Sequence, residues 1–160
     1  MEKRFYTFRG YSLKDAEQKD SLTPSMEDYL EMIYRLSLDE HEPYTRVLEI
    51  ASALNVQPPS ATKMVQRLAA EGLVEYEPYS IVRLTPLGKE IGEYLLRRHN
   101  TLERFLALIG VEDVLLDAEK IEHNISDEAM SGLGALLDFF DSSAECYAAW
   151  CAYLRDRIRS

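Results

Sequence analysis

Apolar residues return every third or fourth position through most of this chain, with one clear interruption near its middle. In "TPSMEDYLEMIYRLSLDE", Met26, Leu30, Ile33, Tyr34 and Leu36 form a stripe of helical period. Thr23 or Ser25 can cap that helix, Pro24 suits its first turn, and Glu27 and Asp28 favour its positive end. "YTRVLEIASALNV" predicts a second helix, with Val47, Leu48, Ile50, Ala51 and Leu54 on its apolar face and Asn55 at its end. "QPPSATKMVQRLAAEGL" predicts a third, opened by Pro58 and Pro59, turned inward at Met64, Val65 and Leu68, and stopped by Gly72. The period then shortens. Val74 and Tyr76, followed by Ile81, Val82 and Leu84, read as a hairpin about a Pro78-Tyr79-Ser80 turn. Pro86 opens a long helix through about Ile109. Three further helices are expected in "EDVLLDAEKIEH", in "SDEAMSGLGALLDFF" with Ser126 as its cap, and in "SSAECYAAWCAYLRDRIRS". Residues 1–22 show no clear period and stand as an arm of unknown order.

Two short helices about a tight turn, followed by a hairpin, make the winged form of the helix-turn-helix. The helix that would enter a major groove begins with small and polar residues. Its first turn is expected to meet a phosphate through N–H groups, and Gln57, Pro59, Ser60, Thr62, Lys63, Gln66 and Arg67 are candidate contacts to base edges and backbone. Arg46 precedes them, and Tyr79 and Arg83 belong to the wing. A small helical pair can also simply pack. The flanking prolines and the wing favour the DNA reading.

Overall charge opposes that reading, and its distribution softens the objection. The chain carries a net charge of −10, whereas phosphate binding calls for positive charge. From Tyr44 to Arg98 there are seven basic and six acidic residues, a net of +1, leaving −11 for the rest. The reading segment is thus a relatively basic island. At 160 residues and 46% hydrophobic, the chain can bury a core without disulfides. Its two cysteines, Cys146 and Cys151, lie five apart on different faces of a helix and are read as core or interface thiols. A reducing, cytoplasmic setting is expected. The first ten residues lack the apolar core of a signal peptide, and no apolar run approaches the roughly 20 residues that span a membrane.

Carboxylates and imidazoles raise a second possibility. Asp28 and Glu31 stand one turn apart on the first helix, and Glu119, Glu122 and His123 share a face in "EKIEH". Facing carboxylates repel, and divalent cations would neutralise them; oxygen ligands suit hard cations, with imidazole acceptable for manganese, iron or zinc. Two separate solvated faces would show the same spacing, so both readings stand on the residues alone. His41 in "DEHEP" is read as solvated. No catalytic pattern competes. There is no H-E-x-x-H helix, no phosphate-binding glycine loop and no Gly-x-Ser-x-Gly elbow. The Glu-x-x-His pairs of di-iron bundles are also missing, because Lys120 stands where the glutamate would be.

The segments "TPSMEDYLEMIYRL", "VQPPSATKMVQRLAAEGLVEYEPY", "LTPLGKEIG", "RRHNTLERFLALIGV" and "IEHNIS", in that order, resemble the diphtheria-toxin-repressor family of metal-responsive regulators over about residues 23 to 141. Within that family the likeness is strongest to its manganese-responsive members. The resemblance implies a mainly α protein: a winged helix-turn-helix DNA-binding domain of three helices plus a β-hairpin wing over residues 23–88, then a linker helix and an all-helical metal-binding and dimerisation domain over 89–160. It places the family's metal ligands on Asp28, Glu31, His99, Glu119, Glu122 and His123. Iron-responsive relatives carry methionine where Asp28 stands and cysteine where Glu119 stands, so oxygen at both places favours manganese. The expected protein is a cytoplasmic, homodimeric, manganese-responsive repressor of metal-uptake genes, not an enzyme. It would hold two Mn2+ per subunit, with other divalent metals possible, and bind palindromic double-stranded operator DNA, with no membrane and no organic substrate. The alternatives are an iron- or zinc-responsive repressor on the same fold, a winged-helix repressor answering an organic effector, and a di-metal carboxylate enzyme. Two departures stand out. Some twenty residues precede the "TPSMEDY" motif, and Ser80 occupies a wing position where a basic residue is expected.

Overall fold

The computed structural model describes residues 22–38, 43–77 and 81–158. The arm of residues 1–21, His41 and the Pro78-Tyr79-Ser80 turn, with the candidate DNA contact Tyr79, lie outside them. In chain order the elements are α1 (Pro24–Leu36), β1 (Thr45–Arg46), α2 (Val47–Ala53), α3 (Pro58–Ala70), β2 (Val74–Glu77), β3 (Ile81–Leu84), α4 (Pro86–Leu108), α5 (Val114–Ile121), α6 (Asp127–Ser142) and α7 (Ala144–Ile158). The chain forms two compact units, divided within α4 after Leu96.

In the first unit each boundary has a local cause. The Thr23 hydroxyl accepts from Met26 N at 3.4 Å and Pro24 opens α1, as its sequence signals. α2 starts later than its periodicity suggests, because Thr45 and Arg46 are spent on a short strand antiparallel to β3. Glu49 fixes that switch: its Oε2 accepts from Arg46 N at 2.8 Å and from the Thr45 hydroxyl at 3.0 Å. The helix-turn-helix turn passes through Asn55 at φ +52°, a left-handed conformation that asparagine tolerates. Gly72 at φ +71° ends α3. The sheet has the order β1-β3-β2, so the hairpin gains a third strand.

The core of this unit gathers Leu30 and Ile33 of α1, Ile50 of α2, Val65 and Leu68 of α3, Val82 of β3 and Leu95 of α4, all essentially sealed from water. Two positions differ from the helical pattern. Leu48 is 64% exposed, because the late start of α2 turns it away from the core. Ala61 is fully buried instead of Met64, which packs only at the core's edge. The "LTPLG" motif docks the start of α4. The Thr85 hydroxyl donates to Gly72 O at 2.8 Å, and a Cβ on Gly88 would overlap the Leu73 carbonyl. Gly92 faces Tyr34 closely, leaving a Cβ only 2.7 Å from the Tyr34 Cβ.

The second unit is all helix. Leu102, Leu106 and Ala118 form a small core, edged by Phe105, Val111, Val114, Ile125, Met130 and Leu133. Ser126 caps α6 by accepting from Ala129 N at 3.2 Å, with Asp127 and Glu128 in its first turn. Trp150 of α7 donates its Nε1–H to Leu108 O at 2.7 Å and continues an aromatic row through Phe140 and Tyr153. Cys146 and Cys151 are unbridged and half-buried. No helix among the described residues is long and apolar enough to cross a membrane.

Candidate metal centre and DNA-reading surface

Candidate ligands occur in both units. In the first, α1 carries Asp28, exposed, and Glu31 one turn later, half-buried. Arg35 forks onto Glu31: Nε donates to Oε1 at 2.9 Å, and a terminal nitrogen lies 2.6 Å from the same oxygen.

In the second unit the arrangement is denser. α5 ends at Ile121, so Glu122 and His123 fall just past its last turn and not inside it, as "EKIEH" suggested. Glu122 is the helix's C-cap, with its carboxylate buried at 4% exposure. His99 of α4 is buried beside it and donates Nδ1–H to Glu122 Oε2 at 2.8 Å. His123 Nε2 lies 3.6 Å from Glu122 Oε1, and Arg98 Nη2 lies 3.4 Å from His123 Nδ1. Burial pushes the Glu122 carboxyl up, but the His99 hydrogen bond and electrostatic attraction to His99, His123 and Arg98 outweigh it, so its pKa falls below the ordinary 4.5. Glu119 sits exposed on α5.

The geometry adds one side chain that the sequence reading passed over. Glu103, one turn beyond His99, brings Oε1 to 3.3 Å from His99 Nε2. The i, i+4 pair in "HNTLE" was the available signal. His99 thus lies between two carboxylates, Glu122 at Nδ1 and Glu103 at Nε2, an arrangement that a fully protonated ring or a metal cation would satisfy. A buried carboxylate set between imidazoles fits a divalent cation of manganese, iron or zinc type.

The candidate reading surface is the exposed face of α3. Ala61, Val65 and Leu68 point into the core, leaving Gln57, Pro59, Ser60, Lys63, Gln66 and Arg67 exposed. Thr62 is half-buried, and its hydroxyl donates to Pro58 O at 3.0 Å. The expected phosphate contact through helix N–H groups does not hold. Pro58 and Pro59 have none, and the N–H groups of Ser60 and Ala61 both donate to Gln57 O. Arg46 is exposed at the start of α2. Arg83 is engaged within the wing sheet, 5.0 Å over the Tyr44 ring and 3.7 Å from Glu77.

Residues 21–82 match the iron dependent repressor N-terminal DNA binding domain, and residues 85–147 match the iron dependent repressor metal binding and dimerisation domain. The HTH-type transcriptional regulator MntR of Bacillus pumilus (strain SAFR-032) is 48% identical over 125 residues, 77% of this chain and 85% of that protein. Its namesake in Geobacillus thermodenitrificans (strain NG80-2) is 50% identical over 120 residues, 74% and 84% of the two chains. This chain belongs to the MntR group of iron-dependent-repressor-type transcriptional regulators. Among solved structures, a manganese-dependent transcriptional repressor in complex with manganese superposes with a TM-score of 0.64 at 30% identity, covering 71% of this chain and 53% of that one. The chain thus spans about half the length of that solved relative. Membership makes this protein a metal-dependent, DNA-binding transcriptional regulator that acts as a homodimer, and not an enzyme.

Proposed function

We propose that this protein is a cytoplasmic manganese sensor that binds operator DNA when Mn2+ is plentiful and represses genes for metal uptake. The observation that carries the metal half is the buried Glu122 carboxylate enclosed by His99 and His123. Asp28, Glu31, His99, Glu119, Glu122 and His123 are the proposed ligands, shared by two Mn2+ ions per subunit. Bound metal supplies positive charge where carboxylates would otherwise repel one another. Asp28 and Glu31 belong to the DNA-binding unit, and the other four to the dimerisation unit. Ligation by both sets would tie the units together and restrict the dimer to arrangements that read DNA. Two α3 helices, related by the dimer's two-fold axis, would then read half-sites about one helical turn apart, roughly 34 Å. Gln57, Pro59, Ser60, Thr62, Lys63, Gln66, Arg67 and Arg46 are the proposed DNA contacts, with Tyr79 and Arg83 on the wing.

Manganese is favoured because the proposed ligands are oxygen and imidazole with no sulfur, and the manganese-dependent repressor solved with its metal points the same way. Selecting duplexes from a random-sequence pool in the presence of Mn2+, Fe2+ or Zn2+ in turn tests this choice. Manganese should give the strongest enrichment of a palindrome. Equal enrichment without metal would favour an organic effector, and preference for iron or zinc would reassign the sensor.

A further inference from the structure

We propose that Arg35 and Arg98 are resident cations that hold metal-ligating side chains in the metal-free protein and compete for them with a divalent cation, Arg98 having to release His123 before that ring ligates. This rests on the ligand assignment proposed above. The observation is repeated independently in each unit. In the first, Arg35 places two nitrogens on one oxygen of Glu31, at 2.9 and 2.6 Å, and the Glu31 side chain is only 12% exposed. In the second, Arg98 is 8% exposed, lies 3.4 Å from His123 Nδ1 and attracts the Glu122 carboxylate electrostatically.

The Arg98 contact has a consequence for proton placement. A guanidinium only donates, so His123 Nδ1 must accept. The ring proton of a neutral His123 therefore sits on Nε2, which faces Glu122 Oε1 at 3.6 Å. A ligating imidazole needs a bare lone pair on one nitrogen and carries its proton on the other. Here the bare nitrogen is occupied by Arg98 and the other is protonated. If His123 ligates through Nδ1, Arg98 must withdraw. If it ligates through Nε2, the proton moves to Nδ1, which can no longer accept from Arg98. Either route breaks the Arg98–His123 contact.

Metal and arginine thus compete for the same ligands. The arginines offset carboxylate charge in the metal-free state and raise the concentration of metal needed to fill the site. Because every divalent cation meets the same competition, the device sets a threshold and not a selectivity.

The test is calorimetric titration of MnCl2 into the full chain and its Arg35→Met, Arg98→Met and Arg98→Lys variants, with thermal melting of each without metal. Both methionine variants should melt lower without metal yet bind Mn2+ more tightly, by about twofold for Arg35→Met and by more for the buried Arg98→Met. Arg98→Lys should fall between Arg98→Met and the parent. Arginines with a merely structural role would lower the melting temperature and leave Mn2+ affinity unchanged or weaker, which would overturn the proposal. Nitrogen-15 NMR of metal-free, unsubstituted protein at neutral pH gives a second readout that needs no variant. His123 should carry its proton on Nε2; a protonated Nδ1 would overturn the Arg98 half. Undiminished Mn2+ binding by Glu122→Ala would instead overturn the ligand assignment, and this proposal with it.

Discussion

Glu122 shows how one side chain can be both buried and charged. Its carboxylate accepts from His99 and is attracted to His99, His123 and Arg98, which together exceed the penalty of removing it from water. The sign of the pH effect follows. A folded-state pKa below the ordinary 4.5 means that this stabilisation is present above that value and is lost as pH falls through the folded-state value. In metal-free protein, Glu122→Gln should therefore flatten the dependence of stability on pH in the acid range below 4.5, as read by urea unfolding at a series of pH values. An unchanged acid limb would mean that Glu122 is not held charged in the fold. At this scale the sequence supplied residue types but not their environments. "EKIEH" named Glu122 and His123, yet it could not show that α5 stops at Ile121, nor that Glu122 is buried while Glu119 is exposed. Those depend on packing between segments distant in the chain.

Among the elements, α3 carries the DNA prediction. Its exposed stripe of Ser60, Lys63, Gln66 and Arg67 lies opposite a buried stripe that fixes the helix in place. Lys63→Ala should lower duplex affinity about equally across sequences, flatten the slope of affinity against salt by about one charge, and leave Mn2+ binding unchanged. Fluorescence anisotropy at several salt concentrations measures this, and an unaltered slope would remove Lys63 from the phosphate contacts. The helices were legible because their stripes are long and their caps explicit: Thr23 and Pro24, Pro58 and Pro59, Ser126 with its acidic first turn. β1 was not, since two residues display no period and only their pairing with β3 defines them. Leu48 misled for the same reason. Counting from Tyr44 put it on the apolar face, while the strand ahead of α2 shifts the register and leaves it in water.

In the whole molecule, the dimerisation unit carries several large apolar side chains at its surface beside a small core. Leu115 and Leu116 on α5, Leu136 and Phe139 on α6, and Tyr147 and Tyr153 on α7 are 40 to 53% exposed. Such a surface marks a protein interface, in keeping with the dimerisation domain that residues 85–147 match. The double variant Leu136→Glu/Phe139→Glu should sediment as a monomer and lose high-affinity operator binding while keeping its helical content; an intact dimer would place the interface elsewhere. Fold class and family were readable because five separated motifs occur in order. The joining of DNA-binding and dimerisation units through shared metal was expected from resemblance alone, since neither half of the ligand set is distinguishable from a solvated face by its spacing. Operator binding measured against Mn2+ concentration for Asp28→Ala and Glu122→Ala, one ligand from each unit, tests that joining most directly. Both variants should remain folded dimers and both should lose manganese-dependent binding. Full manganese dependence in either would contradict a shared site.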